Sequence, residues 1–192
     1  MGRNLSGEQK AIADFWSDNP GQTGTPPGHW IALVSQIARE KRLSLARAAE
    51  AYARVGIAVN EAFICCWRTK YAIDLLRPVT YIRANIDSAW SPYGVTPAFP
   101  TYTSGHSTQS AAAATVLTDM FGVEPLTDLT HRTHAQLPHL GPRSFTSFQE
   151  AAEEAAVSRL YGGIHYAFDN NDGLEIGRQV ARLILERVRF TG

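Results

Sequence analysis

Lys70, Arg77, His106, Arg159, His165 and Asp169 carry charge or move protons, at spacings that suggest one chemistry. Lys70 and Arg77 are seven residues apart, two helical turns, so both face the same way on a helix that runs to Leu76. Pro78 ends that helix. His106 closes the triplet Ser104-Gly105-His106, where a segment rich in Pro, Thr and Gly gives way to an alanine-rich run. The triplet therefore falls where a loop becomes a helix N-terminus, and free backbone N–H groups there favour an anion. Gly105 permits close backbone approach, Ser104 offers a hydroxyl, and His106 can move a proton near neutral pH. Arg159 and His165 are six apart with Gly162-Gly163 between them. A helix presents Arg159 and then releases the chain, so that His165 turns back toward the same point. Taken singly, the triplet reads as a helix cap and each cation as a solvated helix face.

The rest of the chain must supply the scaffold. At 192 residues and 21.1 kDa it reads as a single helical domain, 1–192, able to bury a core. Eighteen basic and 18 acidic residues cancel, which disfavours a general nucleic-acid binder. No apolar run approaches the ~20 residues of a membrane span, and no secretory signal opens the chain. The expectation is a soluble chain, extracytoplasmic if an upstream signal has been removed. Cys65 and Cys66 are adjacent in an apolar run and read as two buried thiols on a helix. They do not identify a redox compartment.

Composition and caps predict helices over Ser6–Trp16, about Gly28 to Lys41, and Ser44 to the neighbourhood of Leu76. A long aromatic-rich loop over 79–103 follows, of the kind that shapes a site. Ser107–Phe121 is helical, and Gly122–Thr146 is loop. Ser147-Phe-Gln-Glu150 fits a capping box and starts a helix that fades at Gly162-Gly163. The last helix is predicted from about Asp172 to Arg189. No strand pattern competes, so the fold class is all-α, a helical bundle whose long loops form an oxyanion site at one end.

Three segments together match a pattern: Lys70, six residues, Arg77-Pro78; Ser104-Gly105-His106; and Ser158-Arg159, five residues, His165, three residues, Asp169. The sequence resembles the superfamily of vanadium-dependent haloperoxidases and type-2 phosphatidic-acid phosphatases, on a bacterial haloperoxidase-related branch. The resemblance implies a pocket for vanadate, or for phosphate in the same place, held by Lys70, Arg77, Ser104, Gly105 and Arg159. It implies His165 as vanadium ligand or phosphorus nucleophile, Asp169 as the group that fixes its tautomer, and His106 as general acid–base. Two arginine forks and a lysine point charge suit a tetrahedral oxyanion.

Trp67 and Phe99 stand where chloroperoxidase-type members carry aromatics beside the halide path, so the resemblance favours a peroxidase that uses peroxide to oxidise halide. The alternatives are a phosphatase acting on phosphate monoesters and an inactive oxyanion-binding bundle. Thr103 stands where a proline usually precedes the triplet, and Ala167 where peroxidases often have a basic residue. The chain is about half as long as typical vanadium haloperoxidases, which carry a further N-terminal helical bundle. Its partners are then peroxide, halide or phosphate esters, with either a homo-oligomer or a missing N-terminal helical half. His131, His134 and His139 lie in a polar loop without an evident fourth zinc ligand, and His29 reads as structural, packed with Trp30.

Overall fold

The computed structural model describes residues 4–133 and 140–189. Among the described residues there are seven α-helices: α1 Gly7–Phe15, α2 Thr25–Glu40, α3 Leu45–Ile73, α4 Pro78–Asn85, α5 Gly105–Phe121, α6 Phe148–Tyr161 and α7 Ala167–Arg187. A two-stranded antiparallel ribbon, β1 Leu126–Asp128 and β2 Arg143–Phe145, lies between α5 and α6, with a short 3₁₀ turn at Thr130–Thr133. The fold is the predicted all-α bundle.

The bundle is built around α5. Ala111, Ala112, Ala113 and Ala114 are fully buried, as are Ser107, Thr108 and Ser110, so this helix has no solvent face over its first turns. Small side chains let α3, α6 and α7 approach it together. Gly173 and Gly177 do the same from α7: a Cβ on Gly173 would lie 2.9 Å from Ser107 Cβ and 3.0 Å from Ser104 O. These glycines lower helix propensity, yet the helix runs through them because nothing larger fits. The close approach has a functional consequence. Ser104 N–H donates to Asp169 O at 3.0 Å, which clamps the start of α7 to the start of α5.

Several element boundaries differ from those read in the sequence. α3 ends at Ile73, with Asp74 in the left-handed conformation as its C-cap, so Lys70 and Arg77 do not share a helix face. Pro78 starts α4 as its first residue instead of merely ending α3, and part of the 79–103 loop is therefore helical. Pro26 and Pro27 likewise open α2 three residues earlier than Gly28. α5 begins at Gly105 and α7 at Ala167.

Ser147 caps α6 by accepting from Glu150 N–H at 3.1 Å, but the Glu150 carboxylate takes Thr146 N–H instead of completing the box. The ribbon was not foreseen, because three-residue strands leave no periodicity to read. Leu126 faces Phe145 and Asp128 faces Arg143 in its register. Cys66 is buried and Cys65 partly so; both are free thiols.

Candidate functional site

A cavity of about 520 Å³ opens between the 17–27 segment, α3, α5 and the loops after Arg77 and Arg159. Arg77, Gly105, His106, Arg159 and His165 all line it, and so do Trp67 and Phe99. Trp67 and Phe99 pack 5.2 Å apart, with Phe63 5.0 Å from Trp67. Three of the predicted residues stand behind this wall: Lys70, Ser104 and Asp169, the last buried behind His165. Lys70 is fully buried and its ammonium donates to three carbonyls, Pro100 and Thr101 at 2.9 Å and Thr103 at 2.5 Å. Ser104 is fully buried, its Oγ accepting from Ser107 N–H at 3.4 Å as the cap of α5. The structure thus brings Arg77, Gly105, His106, Arg159 and His165 to one cavity, while Lys70 and Ser104 shape its loop from outside.

Arg77 is held by the chain turn between α3 and α4. Its Nε donates to Phe99 O at 2.8 Å, and one terminal nitrogen donates to Ile164 O at 2.8 Å and to His165 Nε2 at 3.1 Å. Its other terminal nitrogen is buried with no partner. Arg159, in the last turn of α6, donates to Ser158 Oγ at 3.0 Å and to Ala13 O at 3.2 Å. Burial pushes both guanidinium pKa values down to about 10, and it lowers Lys70 to about 8. Buried cations with an unmet N–H are an electrostatic demand for an anion.

His165 follows the turn at Gly163, whose φ of 71 takes the chain out of α6. Its Nδ1 lies 2.9 Å from Asp169 Oδ2 and 3.1 Å from Thr101 Oγ1. Because Arg77 is a pure donor, Nε2 accepts, so the neutral tautomer carries its proton on Nδ1 and a lone pair on Nε2. Burial drives the His165 pKa down to about 3; the Asp169 bond opposes this, and Arg77 and Lys70 reinforce it. Burial works to raise Asp169, but the bonds from His165, Thr101 and Tyr166 N–H win and hold it low. His106 is pushed well below its ordinary value, first by burial and then by Arg159 and His165, and its Nε2 is shielded without a partner.

Thr101 was missed by the sequence reading. It is fully buried, and its hydroxyl donates to Asp169 Oδ2. The signal was present only as its position inside Phe99–His106. Also missed was a second histidine cluster beside the cavity. His29 bonds through Nδ1 to Asp18 Oδ2 at 2.9 Å and through Nε2 to Asp128 Oδ2 at 2.8 Å.

Burial opposes charge on His29, but the two carboxylates outweigh it and raise its pKa to about 10. His29 is buried and structural, as the sequence suggested, and its ring stacks on Trp16 at 4.6 Å. His131 Nε2 donates to Phe15 O at 2.8 Å, and ligating atoms of Asp18, His29 and His131 lie within 4.8 Å of one another. Both His29 nitrogens are already engaged by carboxylates, so the group reads as an ion-pair cluster. His134 and His139 lie outside the described residues.

Residues 50–191 match a family described as the VCPO second helical-bundle domain. The chain is 25% identical over 219 aligned residues to vanadium chloroperoxidase of Curvularia inaequalis, covering 84% of this chain and 36% of that protein. Among solved structures it is similar to the first bacterial vanadium-dependent iodoperoxidase, with 40% identity and a TM-score of 0.89 over 95% of this chain and 44% of the other. A holo-type bacterial vanadium-dependent chloroperoxidase shares the fold, at 21% identity and TM-score 0.70 over 95% and 44% of the two chains. The chain thus spans less than half the length of these relatives. No described helix is long and apolar enough to cross a membrane.

Proposed function

Because this chain belongs to the VCPO second helical-bundle family, we propose that it carries the oxyanion site of a vanadium-dependent haloperoxidase. The observation that supports this most is the meeting of Arg77, Arg159, His106 and His165 in one cavity, with an unpartnered, buried Arg77 nitrogen and His106 Nε2. The residues fit vanadate. Arg77 and Arg159 would hold its oxygens with Gly105 N–H, Lys70 and Ser104 would support them, and the His165 Nε2 lone pair would ligate the metal. Bound vanadate would supply a Lewis acid that activates peroxide for attack by halide.

The chain's own residues do the rest. Asp169 and Thr101 fix the His165 ring with its proton on Nδ1, so that Nε2 is a lone pair at any pH above about 3. Arg77 releases that lone pair when an anion takes over its N–H. His106, neutral because it is buried among cations, accepts and returns protons at its Nε2. Trp67 and Phe99 give the cavity an apolar wall that keeps water from a small halide.

The neutral His165 favours a second reading. A lone pair set opposite a bound phosphate ester is also a nucleophile for phosphoryl transfer. Isothermal titration with orthovanadate and with phosphate tests the shared site. Each should bind one to one, and Arg77→Ala and Arg159→Ala should each weaken binding about 10- to 100-fold, as expected for a lost charge-assisted hydrogen bond. Unchanged affinity in both variants would sink the assignment. Halogenation of a dye by the vanadate-loaded protein with peroxide and bromide separates the peroxidase from the phosphatase, which instead cleaves p-nitrophenyl phosphate without vanadate.

A further inference from the structure

The cavity is much larger than a tetrahedral oxyanion and a halide together need. Its volume of about 520 Å³ falls within the ~300–1,000 Å³ of sites that enclose an organic molecule. Its far wall uses none of the oxyanion-binding residues. Pro20, Pro26 and Pro27 come from the 17–27 segment and the first turn of α2, and Val95 and Pro97 come from the loop after α4. These prolines line the same cavity as Phe99 and Trp67, and proline rings and aromatic faces are apolar surfaces that suit an aromatic ring.

Beside Ser17, Asn19 and Thr25, that wall holds one buried carboxylate, Asp18. Asp18 is 2% exposed, its Oδ2 is taken by His29, and its Oδ1 is buried with no hydrogen-bond partner. His29 is fixed from its other side by Asp128, so the free oxygen cannot swing away to find water. A buried carboxylate oxygen accepts and never donates while ionised, which rejects a second anion and asks for an O–H or N–H.

We propose that this part of the cavity is a subsite for a phenol, its ring between the prolines and Phe99 and its hydroxyl donating to Asp18 Oδ1. The proposal rests on the oxyanion reading only in naming the neighbour; the subsite itself needs no vanadate. A phenol held there lies in the same cavity as the anion, so an organic acceptor would meet the oxidised halide within the protein instead of in bulk water.

Ligand-observed NMR titration of the full chain tests this, without vanadate or peroxide, using phenol, anisole and cyclohexanol. Phenol should bind at a single site at least 5-fold more tightly than anisole, which lacks the donor, and than cyclohexanol, which lacks the flat ring. Val95→Trp should weaken phenol at least 10-fold. Val95 is 79% exposed at the cavity mouth, so this variant fills the site without disturbing the core. Asp18→Asn should reduce the preference for phenol over anisole. Should that variant fail to fold, the ligand series and Val95→Trp still decide the matter. Equal affinity for phenol and anisole, or an unaffected Val95→Trp, would overturn the subsite. Phenol binding alongside lost vanadate binding would fault the oxyanion reading alone; vanadate binding without phenol would fault only this one.

Discussion

Two buried histidines, each beside aspartate, end in opposite charge states. His165 touches one carboxylate and faces Arg77 and Lys70, and its pKa falls to about 3. His29 lies between two carboxylates, and its pKa rises to about 10. Burial disfavours charge on both rings, so the neighbours decide. The difference sets what each ring can do. A neutral ring keeps a lone pair on Nε2 that can accept a hydrogen bond or meet a ligand. A cation locked by two carboxylates is a fixed strut that joins Asp18, on the 17–27 segment, to Asp128, at the end of the ribbon.

Removing each ring should expose the contrast most sharply. His29→Ala leaves two buried carboxylates without their cation, a loss of about 3–5 kcal/mol. For a chain of this size that lowers the melting temperature by roughly 6–20 °C. His165→Ala should cost less, about 2–3 kcal/mol, since it removes one of three donors to the buried Asp169 carboxylate and leaves a small cavity, yet anion retention should vanish. Urea melts of both variants check this. Equal losses would mean that His29 is not an ion-pair strut.

The second expectation concerns pH. The folded pKa of His29 lies above its ordinary value, so its stabilisation is complete below about 6.5 and drains away as pH rises toward about 10. A shift of this size corresponds to roughly 5 kcal/mol between those limits. Wild-type stability should therefore fall along the alkaline side, and the gap between wild type and His29→Ala should narrow over the same interval. A gap that stays constant from pH 7 to pH 10 would show that His29 is neutral in the folded protein. Nitrogen NMR of the vanadium-free chain at pH 7 supplies an independent check, with His29 an imidazolium and His165 neutral with its proton on Nδ1.

The asymmetry between the clusters also explains what could be read in advance. Arg77, His106, Arg159, His165 and Asp169 stood out only together, through the resemblance carried by three spaced segments; taken singly, the Pro, Gly and cap signals beside them read as ordinary helix ends. Helix composition announced α1, α3, α5 and α6. The strut did not announce itself, because Asp18, His29 and Asp128 come from three segments up to 110 residues apart, from Asp18 to Asp128, and meet only through packing. Asp128 is presented by a three-residue strand too short for any pattern. The Lys70–Arg77 pairing was right in sequence and wrong in geometry. The two converge on the Phe99–Thr103 carbonyls because α3 stops at Ile73 and the chain turns, not because one helix carries both.

The smallest effect belongs to Thr101, which refines the His165 side of the comparison. Its hydroxyl donates to Asp169 Oδ2, the same oxygen that receives His165 Nδ1–H and Tyr166 N–H. Three donors on one oxygen spread its charge and limit what it can lend to the imidazole. Thr101→Val keeps the shape and removes one donor. The remaining bonds to Asp169 should then strengthen, and the His165 pKa should rise while staying below its ordinary 6.5, because burial and Arg77 still oppose it. Stability should drop by about 1.5 kcal/mol, the low end for a lost hydrogen bond to a buried carboxylate. Titration of the His165 nitrogen signals in wild type and variant measures the shift. An unmoved pKa would show that Asp169 is held by His165 and Tyr166 alone, and that Thr101 only fills space.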